Sequence, residues 1–196
     1  MTALQYSGTA ILPRLHHGSA TNDEVIAALR EHGGVIVEGL LPPSTVARIN
    51  DEVEPYVEAA DPAAKQINPF LEEFFGKRTR HVASITGKSP TFATEVLCHP
   101  TMLAVCDEVL LPSCARYQLN IASILDRGPG ADAQYLHYDE DVWIHVPRPR
   151  PELQGASIWA LVEVTKEMGA TQLVPGRHRW GPRRPPGRTP HDPRPP

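Results

Sequence analysis

His137 and Asp139 stand two residues apart in the run GPGADAQYLHYDEDVWIHV, Gly128 to Val146. On a β-strand, side chains two apart project from the same face, which sets an imidazole beside a carboxylate. Such a pair can supply two of the three ligands of a 2-His-1-carboxylate facial triad. That triad leaves positions open on a non-haem Fe(II) for a chelating co-substrate and dioxygen. The third ligand, a second His, has to come from later in the chain. A lone H-x-D triplet is weak evidence in a chain with nine His, because chance supplies it often. The plainer reading is a hydrogen-bonded surface pair at a strand end, and the residues alone leave both readings open.

The elements that must position this pair can be read in order. Residues 1–20 carry little pattern and cross the surface. Thr21 or Asn22 caps a helix whose first turn holds Asp23 and Glu24, where acidic groups meet the positive helix end. Val25, Ile26 and Leu29 give its apolar face, and Gly33-Gly34 ends it. GVIVEG, Gly34 to Gly39, predicts a short buried strand. Pro42-Pro43-Ser44 opens a second helix with apolar residues at Val46, Ile49, Val53 and Tyr56/Val57, spaced by three and four. Phe70, Leu71, Phe74 and Phe75 suggest a helical turn packed on the core. Thr79 to Ile85 predicts a strand. Ser89-Pro90 starts a short helix to about Leu97, since Pro in a first turn loses no hydrogen bond. Another helix covers Pro100 to Leu110. Strands are predicted over Ala115 to Leu125, through His137, over Ser157 to Val164 and over Thr171 to Val174, with Gly128-Pro129-Gly130 as a turn and Pro147 to Pro151 as a loop. Helices first and strands later suit an α+β fold, with helices packed outside an antiparallel sheet or barrel.

At 196 residues there is room for one domain with a core. The net charge of −4 hides an asymmetry: the residues from Arg177 onward carry +5, leaving about −9 on residues 1–176. An acidic body argues against a nucleic-acid partner. Cys98, Cys106 and Cys114 form no C-x-x-C pair and read as mostly buried free thiols in a reducing compartment. The N-terminus lacks a basic region followed by an apolar core, and no run has the length of a membrane span. These features predict a soluble, cytoplasmic protein with no membrane association. From about Gly181, GPRRPPGRTPHDPRPP has no apolar periodicity and is expected to be disordered.

Four segments carry a resemblance. EVIAALREHGGVIVEGLL, YQLNIASILDRGPG, QYLHYDEDVW and WALVEVTKEMGATQLVPGRHRWG resemble segments of the phytanoyl-CoA dioxygenase family of Fe(II)- and 2-oxoglutarate-dependent oxygenases, the last two specifically in their order and spacing. The third looks like that family's Q-x-L-H-x-D segment, and the fourth like its G-A-T turn and PG-x-H loop. The resemblance covers roughly residues 22–181. It implies a double-stranded β-helix, a cupin-like jelly-roll with N-terminal helices packed on it. It makes His137 and Asp139 iron ligands and Gln134 a residue that holds 2-oxoglutarate or shapes its pocket. The implied organisation is an N-terminal surface segment over residues 1–20, an oxygenase domain over 21–180 and a Pro/Arg-rich tail over 181–196.

Other residues invite roles and have plainer readings. Trp143 can wall a substrate pocket, but a buried or rim Trp is the simpler account. Arg80 can reach an anion, but a solvated charge is the simpler account. In the family the His of the PG-x-H loop is not the distal ligand, which tells against His178. His145 is too near Asp139 in sequence to complete a triad across a barrel, and His191 sits among prolines unsuited to a barrel strand. The family's distal His and its carboxylate-binding Arg are not recognisable. The composition break near Gly181 predicts a frameshift or early end that replaces the final strands, with the chain then marginally stable, aggregating or needing a partner. The leading reading is a dioxygenase acting on a small organic substrate. The alternatives are a non-catalytic binding or interaction protein that keeps part of the fold, with the tail as docking segment, and a cupin-like Zn(II) protein using His137, Asp139 and His178.

Overall fold

The computed structural model describes residues 12–64, 68–143, 145–147 and 149–179. They fall into two compact units, residues 12–40 with 172–179, and residues 41–171. The predicted tail over 181–196, with His191, lies outside the described residues.

In the first unit, β1 (Arg14–His16) pairs in parallel with β2 (Ile36–Glu38), with Leu15 opposite Val37. Helix α1 (Asn22–His32) connects them. Its start is a capping box: the Glu24 amide donates to Thr21 Oγ1 (3.3 Å) and the Thr21 amide to Glu24 Oε2 (2.8 Å), so two donors with no intrahelical partner are satisfied reciprocally. Its end is Gly33 at φ 76°, whose amide reaches the Leu29 carbonyl. The left-handed conformation there is costly for any residue with a Cβ.

The second unit holds the core. Helix α2 (Pro43–Ala59) begins with Pro at its first position and buries Ile49 and Val53. These pack with Ile85, Phe92 and Val96, and Leu41, Val57, Ile124, Trp159 and Leu161 flank the cluster. A polar tie joins α2 to the stretch beyond it. The Glu52 carboxylate accepts from the hydroxyls of Ser89 and Thr91 and from the Thr91 amide. Ser89 is itself fully buried, and these donors, the Ser89 hydroxyl foremost, hold the Glu52 carboxyl below its ordinary pKa. The predicted helix near Leu97 forms as π-helical turns over Phe92–Val96, the Leu97 amide reaching back to Phe92. Helices α3 (Pro69–Phe75) and α4 (Pro100–Leu110) complete the helical part. Strand β3 (Thr79–Ala83) pairs antiparallel with β4 (Ser123–Arg127), from Thr79 opposite Arg127 to Ala83 opposite Ser123.

The α+β class therefore holds, with fewer strands than the patterning predicts. The stretch through His137, Ser157–Val164 and Thr171–Val174 join no strand, and Ala115–Leu125 pairs only from Ser123 onward, where β3 ends its match. The physical reason is that alternation fixes which side chains face in, whereas a strand exists only where another backbone receives its N–H and C=O groups. Residues 157–164 keep the alternation: Trp159 and Leu161 face the core while Ile158 and Val162 are 74% and 65% exposed. Asn50 Nδ2 donates to the Leu161 carbonyl (2.8 Å), so a side chain of α2 serves one group that a neighbouring strand would otherwise serve. Two further expectations are corrected. Helix α3 buries no residue, so its phenylalanines do not pack on the core. Cys98 and Cys114 are exposed thiols and only Cys106 is half-buried.

Candidate metal centre

The run that carries the pair is anchored upstream by two arginines. Arg78 Nη1 donates to the Gly130 carbonyl (3.2 Å) while its own carbonyl accepts from the Gly128 amide (2.7 Å). Gly130 has φ 70°, and a Cβ there would fall on Arg78 Nη1. Arg127 donates to the carbonyls of Ala131 and Asp132 (3.3 and 2.7 Å). Gly-Pro-Gly is thus a turn as predicted, and the chain leaves it in a direction set by β3 and β4.

His137 then lies outside any ladder, so the pair is not aligned by strand pleat. It comes together all the same, with His137 Nε2 3.3 Å from Asp139 Oδ1. His137 Nδ1 is 2.8 Å from the Tyr135 carbonyl. A carbonyl can only accept, so this contact places a proton on Nδ1 and, in the neutral ring, leaves the Nε2 lone pair facing the carboxylate. Metal-ligating histidines are oriented in this way by a backbone acceptor on their other nitrogen. Two donors about 2.1 Å from one octahedral cation stand roughly 3 Å apart, close to the separation seen. The donor set therefore fits two positions of an iron site. Among the described residues, no three His, Cys, Asp or Glu side chains cluster to hold one ion.

Two rings meet the imidazole and a third packs behind them. Phe74 of α3 meets His137 edge-on with centroids 4.8 Å apart, and Tyr135 does so at 5.7 Å. Phe70 stacks on Phe74 (5.9 Å) and meets Tyr135 (6.5 Å). Burial, with a smaller contribution from the Glu73 charge, pushes the Tyr135 phenol up. On the downstream side, Asp139–Trp143 forms a 3-10 turn. Its closure depends on Arg150, whose side chain is only 5% exposed. The guanidinium donates to the carbonyls of Trp143 (2.6 Å) and Val146 (2.7 Å), with longer contacts to the Glu140 carbonyl and carboxylate.

The other candidates have settings of their own. Gln134 is half-buried, three residues before His137. Arg80 is neither a free charge nor an anion anchor: it pairs with Asp126 (2.9 Å), its partner in the β3–β4 register. Trp143 donates its indole N–H to Gln154 Oε1 (3.0 Å) and is a rim residue, 37% exposed. His145 is exposed. His178 belongs to the first unit, its Nε2 2.9 Å from the Arg30 carbonyl. Sequence reasoning missed Arg150, which reads as one more loop charge, and missed the face of α3. The only signal for the latter is the density of Phe in PFLEEFF.

Comparison with known proteins gives the centre a context. The phytanoyl-CoA dioxygenase (PhyH) family matches residues 29–195. The dioxygenase olcK of Penicillium canescens is 33% identical over 165 residues, which is 83% of this chain and 55% of that protein. The dioxygenase trt7 of Aspergillus terreus is 31% identical over 178 residues, 89% and 61% respectively. The multifunctional dioxygenase prhA of Penicillium brasilianum is 34% identical over 177 residues, 87% and 57%. The chain thus spans between half and two thirds of the length of these relatives.

Proposed function

Starting from the chain's membership of the phytanoyl-CoA dioxygenase family, we propose that it is an Fe(II)/2-oxoglutarate-dependent dioxygenase that hydroxylates a small organic substrate. The observation that carries this reading is the His137–Asp139 pair, with Nδ1 turned to the Tyr135 carbonyl and Nε2 facing the carboxylate. His137 Nε2 and Asp139 Oδ1 would hold the iron, and Gln134 would contact the 2-oxo acid. Bound ferrous iron supplies the redox chemistry by which dioxygen oxidises the 2-oxo acid and the substrate.

The protein's own part is positional. The Tyr135 carbonyl holds Nδ1 and so orients the ring with Nε2 toward Asp139. Phe74 and Tyr135 pack the imidazole in one orientation, and Arg150 ties down the turn that begins at Asp139. The jelly-roll architecture of the family, a cytoplasmic setting and the absence of a nucleic-acid partner belong to the same proposal. Among the described residues, no helix is long and apolar enough to cross a membrane.

Anaerobic titration with Fe(II), or with Ni(II) as a redox-inert stand-in, tests the reading. Binding is expected to strengthen when 2-oxoglutarate is present and to be lost in His137→Ala and Asp139→Ala, with circular dichroism unchanged. Equal metal affinity in wild type and His137→Ala would refute the assignment. Absence of any metal binding would favour a non-catalytic binding protein on the same scaffold.

A further inference from the structure

The PG-x-H loop, Pro175 to His178, has no part in the proposed reaction. It belongs to the first unit and meets the C-terminal end of α1. The last four carbonyls of a helix have no intrahelical donor and form its negative end. One of them, Leu29, is served locally by the Gly33 amide (2.8 Å). Two others receive donors from the loop. The Gly176 amide donates to the His32 carbonyl (2.8 Å), and His178 Nε2 donates to the Arg30 carbonyl (2.9 Å). Arg179 Nη2 adds a longer contact to the same Arg30 oxygen (3.4 Å). His178 and Arg30 lie 148 positions apart in sequence, so no local pattern brings them together. Gly33 is part of the fit, because a Cβ there would run into Nδ1 and Cγ of the His178 ring. From this juxtaposition we infer that His178 is a clasp, which holds the 172–179 stretch on α1 through the Arg30 carbonyl and the bare backbone of Gly33.

A carbonyl only accepts, so Nε2 of His178 carries the proton. With Nε2 committed to Arg30 and Nδ1 set against Gly33, the ring positions a loop and does not ligate a metal. That separates its role from the one proposed for His137. Gly33 in turn answers two demands at once. Its φ of 76° lies in the left-handed region, and the imidazole approaches where a side chain would start. A cationic Arg179 beside the same carbonyl adds favourable charge at the negative helix end. The clasp joins stretches that are remote in the chain, so its release frees the loop without unwinding the capped start of α1.

Amide hydrogen exchange on the whole chain reads the clasp at Gly176. His178→Ala is expected to speed exchange there about fivefold, the scale of one net hydrogen bond. The Val25 amide, bonded to the Thr21 carbonyl in the first turn of α1, should exchange as in wild type. His178→Gln, whose side-chain amide can donate to Arg30 in place of Nε2, should return Gly176 toward the wild-type rate. Gly33→Ala should speed Gly176 more than His178→Ala does. Its effect should be about fivefold smaller when residue 178 is already alanine, because only the backbone strain then remains. Gly33→Asn, which enters the left-handed region more readily but carries the same Cβ, serves if Gly33→Ala does not fold. Wild-type exchange at Gly176 in His178→Ala, no recovery in His178→Gln, or independent effects of the two alanine changes overturns the clasp. So does weaker Ni(II) binding in His178→Gln than in wild type, since the imidazole would then be a ligand.

Discussion

Arg150→Lys keeps the positive charge and removes the fork. The wild-type guanidinium reaches two carbonyls at short range, those of Trp143 and Val146, and two groups of Glu140 at 3.4 Å. An ammonium on a flexible stem can serve one of the short pair but lacks the planar spread to serve both. One hydrogen bond to a charged group is therefore lost inside a site only 5% exposed, a net cost of about 2 kcal/mol. Since about 1.4 kcal/mol is a factor of ten, the open form of the 139–146 turn should become roughly thirtyfold more populated. The Val146 amide reports on it directly, because it donates to the Trp143 carbonyl (2.9 Å) that Arg150 also holds. Its hydrogen exchange should accelerate by about that factor, while amides of α2 exchange as before. Because the turn starts at Asp139, Ni(II) affinity should also fall, by about ten- to a hundredfold as for other groups that orient ligands. Wild-type exchange at Val146 together with wild-type Ni(II) affinity would refute the clamp. Faster exchange with unaltered affinity would confine Arg150 to the loop and detach it from the site.

Four further outcomes follow from the fold. Ile49 has no solvent exposure, so Ile49→Ala should cost about 3 kcal/mol through lost transfer energy and a cavity, read as a lower urea midpoint. Gly130→Ala combines φ 70° with a Cβ against Arg78 and should cost about 1–2 kcal/mol. Gly155→Ala, where nothing lies within 4 Å, should leave the melting temperature within a degree or so of wild type. Glu52 has a depressed folded pKa. The stability it contributes is thus complete above the unfolded carboxylate's pKa and is lost as pH falls through the folded value. Thermal melts from pH 6 downward should show Glu52→Gln less pH-dependent than wild type, and parallel curves would remove Glu52 as the cause.

Local chemistry is what the sequence by itself determined here. Thr21 with Glu24, Pro at the first position of α2 and α4, and Gly33 at a left-handed terminus each act within one helical turn, so α1, α2 and α4 are legible from neighbouring letters. The same is true of the Q-x-L-H-x-D run, which singles out His137 and Asp139 and the family they belong to. The strands needed more. Ser157 to Val164 alternates as a strand should, and its inward residues face the core, but a ladder depends on a second backbone that no local pattern specifies. The site divides in the same way. Residue types marked the two proposed ligands, whereas the path of the folded chain turned His137 Nδ1 to the backbone carbonyl of Tyr135. It also placed Phe74 of α3, some sixty residues earlier, against the imidazole and buried Arg150 within the turn. Those contacts join groups remote in sequence, or depend on the path of a loop, and only the folded chain brings them within reach.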